Sequence, residues 1–211
     1  IGRDATEDLP KRVKAGENEM FWTRLISGII LLIITITVSA FGGSLLLAML
    51  CVISLIAFRE LSKVLSGSGR TDWNPLEITG LTGIVLYYLT IWIWHDNAVG
   101  CNMLYPFIIL VLVFLAEMTI YVVRFPKYRA EQVAAVCFSV CYAPVMLSFI
   151  YLTREMERGI YLVWLIFISA WGCDTCAYAV GKLIGKRKIF PRLSPKKSLE
   201  GCIGGVLGAA V

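Results

Sequence analysis

The chain has 211 residues, 58% of them hydrophobic, and a net charge of +5. Its mean hydropathy of +0.74 lies far above that of a soluble domain of this length, which excludes an ordinary water-soluble enzyme and a disordered chain. Long apolar runs alternate with short polar gaps, and each run approaches the roughly 20 residues that cross a bilayer as a helix. The predicted fold class is therefore all-α: a polytopic transmembrane helical bundle.

In chain order, residues 1–23 mix both charge signs without apolar periodicity and read as a mobile cytosolic N-terminal segment, followed by a transmembrane helical domain over 24–211. Six full spans are predicted at 24–42, 44–62, 76–94, 104–123, 132–152 and 160–184. A seventh starts near Ser198 and runs out at Val211, too soon to cross. That stop inside an apolar run, and the start at Ile1, read as signs of the N-terminal part of a longer protein, truncated at its C-terminus. The first apolar run lacks a small-residue cleavage site and so does not read as a signal peptide. The 7 cysteines lie mostly within spans and form no disulfide framework. Cys173 and Cys176 flank Asp174 on an apolar helix, where they read as small packing residues.

Charge placement sets the expected topology, because Lys and Arg in short loops stay on the cytoplasmic side. Arg3, Lys11, Arg12, Lys14 and Arg24 precede the first span, and Arg59, Lys63 and Arg70 follow the second. Arg124, Lys127 and Arg129 follow the fourth span, and Lys182 to Lys197 follow the sixth. The alternate gaps carry no Lys or Arg, except that Arg154 and Arg158 are offset by Glu155 and Glu157. The N-terminus and the basic loop after the sixth span are thus expected in the cytoplasm. The basic residues suit anionic membrane lipids, and no nucleic-acid partner is expected. Trp22, Trp73, Trp92 and Trp94 sit near span ends as interface anchors.

The chemistry concentrates after residue 170. Asp174 lies inside an apolar run, and a carboxylate in the bilayer is normally kept for a function or a partner. On a helix, Asp174, Ala177, Tyr178, Gly181 and Gly185 share one face. The bland reading is a small-residue packing face with Asp174 paired to a lysine. Ser194-Pro195 reads as an N-cap followed by a first helical residue, which puts Lys196 and Lys197 in the first turn of the seventh helix and Glu200 just after. Free amides and two lysines at a helix start make an anion site. A hard cation such as Mg²⁺, taking one or two carboxylates and phosphate oxygens, suits this set. No Walker A motif, Rossmann fingerprint, H-E-x-x-H or G-x-S-x-G is present.

Asp174-Thr175, Ala177-Tyr178, Gly181, Gly185-Lys186, Ser194-Pro195-Lys196-Lys197-Ser198, Glu200-Gly201 and Gly204-Gly205 together resemble the phosphatidate cytidylyltransferase (CDP-diacylglycerol synthase) family. The block covers about 35 residues, and the upstream spans match in hydropathy and number alone. The resemblance implies a membrane nucleotidyltransferase that condenses CTP with phosphatidate in phospholipid biosynthesis, giving CDP-diacylglycerol and pyrophosphate with Mg²⁺. It implies catalytic roles for Asp174, Lys196 and Lys197, substrate contacts at Tyr178, Lys186, Ser194 and Ser198, and metal ligation by Asp174 and Glu200. It also implies a bacterial inner-membrane location and a homodimer. This chain has Ser198 and Leu199 where the family usually has Thr and Trp. The family's C-terminal signature would lie beyond Val211, so the fragment alone is expected to be inactive. The alternatives are a related CTP-dependent enzyme acting on an isoprenoid or ether lipid, and a non-catalytic membrane protein that binds or transports anions.

Outside this block, Glu117 in the fourth span reads as paired with Arg124 or with a hydroxyl of a neighbouring helix, with a cavity-facing role as the alternative. Arg59-Glu60 reads as an interface anchor. The one histidine, His95, reads as a solvated loop residue beside Asp96. Pro144 is expected to mark a kink in the fifth span.

Overall fold

The computed structural model describes residues 4–66, 74–94, 103–189, 194 and 197–210, with side chains from Trp22 onward except those of Arg24 and Trp94. Arg70, Trp73, His95, Asp96, Arg192, Pro195 and Lys196 lie outside the described residues, as do the side chains of Lys11, Arg12 and Lys14. The elements are α1 (Asp4–Phe41), α2 (Gly43–Leu65), α3 (Pro75–Trp94), α4 (Leu104–Val123), α5 (Ala130–Arg154), α6 (Gly159–Leu183) and α7 (Leu199–Ala210). Five helices, α2 to α6, are long and apolar enough to cross a membrane, whereas Leu25–Phe41 of α1 and all of α7 are shorter. The chain is an integral membrane protein built as a helical bundle. The predicted lead-in is helical from Asp4, so α1 runs for 38 residues without a break.

α2, α3, α4 and α5 pack around one core, formed by Leu46, Leu50 and Phe58 of α2, Ile84, Tyr87 and Ile91 of α3, Val113 of α4, and Val136 and Val140 of α5. Two glycines of α3 allow the close approach. A Cβ on Gly80 would lie 2.6 Å from Phe58, and one on Gly83 would collide with Val113. Some polar groups inside the core are paired, whereas the hydroxyls of Ser62 and Tyr128 have no hydrogen-bond partner among the described residues. Ser54 donates to the Tyr88 hydroxyl at 2.7 Å, and Tyr88 donates to the Pro144 carbonyl at 3.2 Å. Pro144 sits inside α5, and its carbonyl accepts this bond from α3.

Glu117 differs from its expected pairing. It is fully buried, and one carboxyl oxygen accepts from the Cys137 thiol of α5 at 2.8 Å rather than from a cation or a hydroxyl. The other oxygen has no partner among the described residues. A thiol was not a foreseeable partner, because nothing in the sequence fixes the register of α4 against α5.

The sidedness of the bundle is visible in contacts at one end. α1 and α2 meet at Gly42 (φ 67°) and Gly43 (φ 56°), left-handed positions that favour glycine. At the end of α5, Arg154 reaches this turn and donates from Nε to the Ser39 carbonyl at 3.0 Å and from a terminal nitrogen to the Ala40 carbonyl at 3.1 Å. The Trp92 indole N–H, near the end of α3, donates to Ser44 at 3.3 Å. By helix direction, the C-terminal ends of α2, α4 and α6 and the N-terminal ends of α3, α5 and α7 lie at the opposite end.

Arg154 therefore caps the C-terminal carbonyls of α1 across 114 and 115 residues of chain. Arg154→Ala is expected to lower unfolding stability by about 1–2 kcal/mol, since two carbonyls lose a charged donor. Arg154→Lys should recover only part of this, because an ammonium lacks the planar fork. Denaturant midpoints in detergent micelles check both, and an unchanged midpoint for Arg154→Ala would refute the capping role.

Candidate active site

α6 and α7 form an antiparallel pair whose contact is made largely by small residues. Gly201 lies against Ala177 and Gly181, Gly204 against Val180, Gly205 against Cys173 and Ala177, and Gly208 against Gly172 and Cys176. The backbones are close enough that a Cβ on Gly172 would sit 2.5 Å from the Gly208 carbonyl, and one on Gly201 would sit 2.9 Å from the Ala177 carbonyl. Such close approach is the usual reason for small residues between membrane helices. Cys173 and Cys176 take part as packing residues and are free thiols.

This contact divides the predicted functional face of α6. Ala177 faces α7, and Gly181 and Gly185 lie against Ser198 near its start. Asp174 and Tyr178 flank that contact and are exposed, Tyr178 to 69%. Asp174 stands nine residues before the end of α6 at Leu183, about 14 Å along the axis. Among the described residues it makes no hydrogen bond or ion pair, so the bland expectation of a lysine partner is not met there. The Lys182 ammonium instead lies 5.7 Å from the centre of the Tyr178 ring.

The start of the seventh helix lies later than its predicted cap. α7 begins at Leu199 and its cap is Ser198, whose hydroxyl accepts from the Gly201 N–H at 3.3 Å and whose carbonyl accepts from the Cys202 N–H at 3.1 Å. Ser194 is part of the loop, with its carbonyl bonded by the Lys197 N–H at 3.2 Å. Lys197 therefore precedes the helix and is exposed, rather than lying in its first turn. The physical reason is electrostatic: lysines oppose the positive end of the helix dipole, whereas Glu200 directly after Ser198-Leu199 complements it. That acid was the signal that could have selected Ser198. Ser198 is buried, and its hydroxyl serves as the cap of α7.

The loop between the two helices folds back on itself. Lys188 and Ser198 form an antiparallel bridge, the Leu199 N–H donates to the Arg187 carbonyl at 2.9 Å, and the Ile189 N–H donates to the Lys197 carbonyl at 3.4 Å. Glu200 accepts from the backbone N–H groups of Lys186 at 3.1 Å and Arg187 at 3.3 Å. Glu200 stands at the loop end of α7, outside the five spans. Its own N–H, then those of Arg187 and Lys186, hold its carboxyl below the usual carboxylate range. The result is a strip of exposed cations, Lys186, Arg187, Lys188 and Lys197, on a loop with a fixed base.

The two acids expected on one metal are thus not brought together. Glu200 faces backbone amides at the loop, while Asp174 lies deeper, at the level where α7 has reached Gly205 and Gly208. No group of three or more His, Cys, Asp and Glu occurs among the described residues, so no all-protein metal cage is present among them. A carboxylate without a bonded partner among the described residues, on the helix that leads into a cationic loop, fits Mg²⁺, which takes one or two carboxylates and fills its sphere with water and phosphate oxygens.

The cytidylyltransferase family profile matches residues 22–211. The chain is 29% identical over 187 residues to a phosphatidate cytidylyltransferase of Staphylococcus saprophyticus, covering 87% of this chain and 67% of that protein. The phosphatidate cytidylyltransferase of Staphylococcus haemolyticus is 28% identical over the same length and coverage. That of Staphylococcus aureus is 29% identical over 189 residues, covering 87% of this chain and 66% of the relative. The chain spans about two thirds of the length of these relatives. With a match over nearly its whole length, the chain belongs to the cytidylyltransferase family.

Proposed function

We propose that the protein is a membrane nucleotidyltransferase that condenses CTP with phosphatidate to give CDP-diacylglycerol and pyrophosphate. Beyond family membership, the observation that carries this reading is Asp174. An exposed carboxylate nine residues inside a membrane helix, with no bonded partner among the described residues, is costly unless it serves a polar reaction centre. A phosphate oxygen of phosphatidate attacks the α-phosphorus of CTP, the bond from that phosphorus to the bridging β-oxygen breaks, and pyrophosphate leaves. Asp174 would hold Mg²⁺, which would supply charge neutralisation at the phosphate oxygens.

The chain's own residues supply position and charge. Lys186, Arg187 and Lys197 attract the triphosphate and offset charge that builds on the leaving pyrophosphate. Lys196 and Ser194 belong to the same loop and are assigned to nucleotide contacts. Tyr178, one turn after Asp174 on the same exposed edge, lines the approach of the lipid headgroup. Ser198 acts as the cap of α7. The sided charge pattern supports an N-terminus and an α6–α7 loop in the cytoplasm, and the bacterial relatives support a location in a bacterial inner membrane.

The full-length gene product, reconstituted in liposomes with phosphatidate, is expected to convert CTP to CDP-diacylglycerol with Mg²⁺ and to form none when the metal is chelated. Anion movement across the liposome without CTP turnover would replace this reading with a transport function. Turnover with an isoprenoid phosphate but not with phosphatidate would reassign the acceptor lipid.

A further inference from the structure

The basic loop is closed at its base by one side chain. One Glu200 oxygen accepts from the Lys186 N–H at 3.1 Å and from the Arg187 N–H at 3.3 Å, and the other oxygen also accepts from Arg187 at 3.3 Å. The carboxylate stands two residues past the cap Ser198, so it ties the first turn of α7 to the chain just after Gly185. The two backbone bonds of the antiparallel bridge between Lys188 and Ser198 continue the closure above it. Both strands of the loop therefore leave a common base, and the exposed cations at 186, 187, 188 and 197 depend on it for their spacing.

We infer that Glu200 is a positioning residue, which sets the geometry of the loop cations for the nucleotide phosphates and ligates no metal. Both of its oxygens face N–H donors, and its nearest charged neighbours are cations. That environment attracts anions and repels a divalent cation. The α6–α7 register adds a second reason, because Asp174 lies at the depth of Gly205 to Gly208 while Glu200 lies at the depth of Gly185. Glutamate suits the task by its reach, since aspartate is one methylene shorter and cannot span both amides from the same backbone position. Glutamine keeps the reach but offers only one oxygen and no charge.

The kinetic part of this inference rests on the proposed CTP chemistry, whereas the loop closure does not. The test uses the full-length gene product in lipid nanodiscs, as wild type, Glu200→Gln and Glu200→Asp. Hydrogen exchange at the amides of Lys186 and Arg187 is expected to quicken roughly tenfold in Glu200→Gln, the loss of a charge-assisted bond at each amide. In the same variant KM for CTP is expected to rise roughly tenfold, with kcat changed by less than about threefold and the Mg²⁺ dependence unmoved. Glu200→Asp should fall between wild type and Glu200→Gln in both readouts, and it serves alone if Glu200→Gln does not fold. Unchanged exchange at both amides overturns the closure. A collapse of kcat with a shifted Mg²⁺ requirement and an unchanged KM overturns it in favour of metal ligation. Faster exchange in a protein whose wild type turns over no CTP leaves the closure standing and removes the proposed reaction instead.

Discussion

Asp174→Asn is expected to lower CTP turnover roughly a thousandfold, about 4 kcal/mol of transition-state stabilisation, while changing unfolding stability by less than about 0.5 kcal/mol. The separation of the two effects follows from the surroundings of the side chain. Asp174 is exposed and has no bonded partner among the described residues, so asparagine of the same size breaks no contact in the fold. It does remove the negative charge on which the proposed metal site depends. In a protein where Asp174 merely decorated the helix, asparagine would be neutral for activity and somewhat favourable in lipid, because a charge leaves the bilayer. Steady-state turnover and a denaturant midpoint measured on the same preparation distinguish these. Activity near the wild-type level in Asp174→Asn would take this residue out of the mechanism.

Gly201→Leu should produce the largest loss of structure, about 3 kcal/mol or more, because it wedges apart two helices in backbone contact. A Cβ at position 201 would sit 2.9 Å from the Ala177 carbonyl and 3.1 Å from the Gly181 Cα, and neither is a flexible side chain that could swing away. Gly172→Leu acts from the other helix, with its Cβ 2.5 Å from the Gly208 carbonyl. Either change displaces α7, and with it Ser198 and Glu200, so turnover and stability should fall together. Gly28→Ala serves as the control, since a Cβ there has no atom within 4 Å and α1 gains helix propensity. Unfolding midpoints in micelles check the series, and a wild-type midpoint for Gly201→Leu would contradict the observed register.

How much of this was legible beforehand varies with the physics that controls each feature. The fourth predicted span, 104–123, coincides with α4, and 160–184 is within a residue of α6, because in these segments apolar length alone decides the helix. The junction before α7 was harder. Ser194-Pro195 and Ser198-Leu199 both read as helix starts, and local preference favoured the first. The balance tips in the fold, where Gly185 and Gly181 receive Ser198 against α6 and the lysines are kept off the positive helix end. The shared face of Asp174, Tyr178 and the glycines was a correct helical spacing, but spacing cannot say which edge of that face a neighbouring helix covers. Glu117 with Cys137, and Arg154 with the end of α1, depend on tertiary register and had no local signature.

Isotopic labelling of CTP tests the account most directly. With the full-length gene product, phosphatidate and Mg²⁺, phosphorus label at the α-position should pass into the organic-extractable lipid, and label at the γ-position should remain in water as pyrophosphate. Label from both positions staying in the aqueous phase, with phosphatidate recovered unchanged, would contradict it.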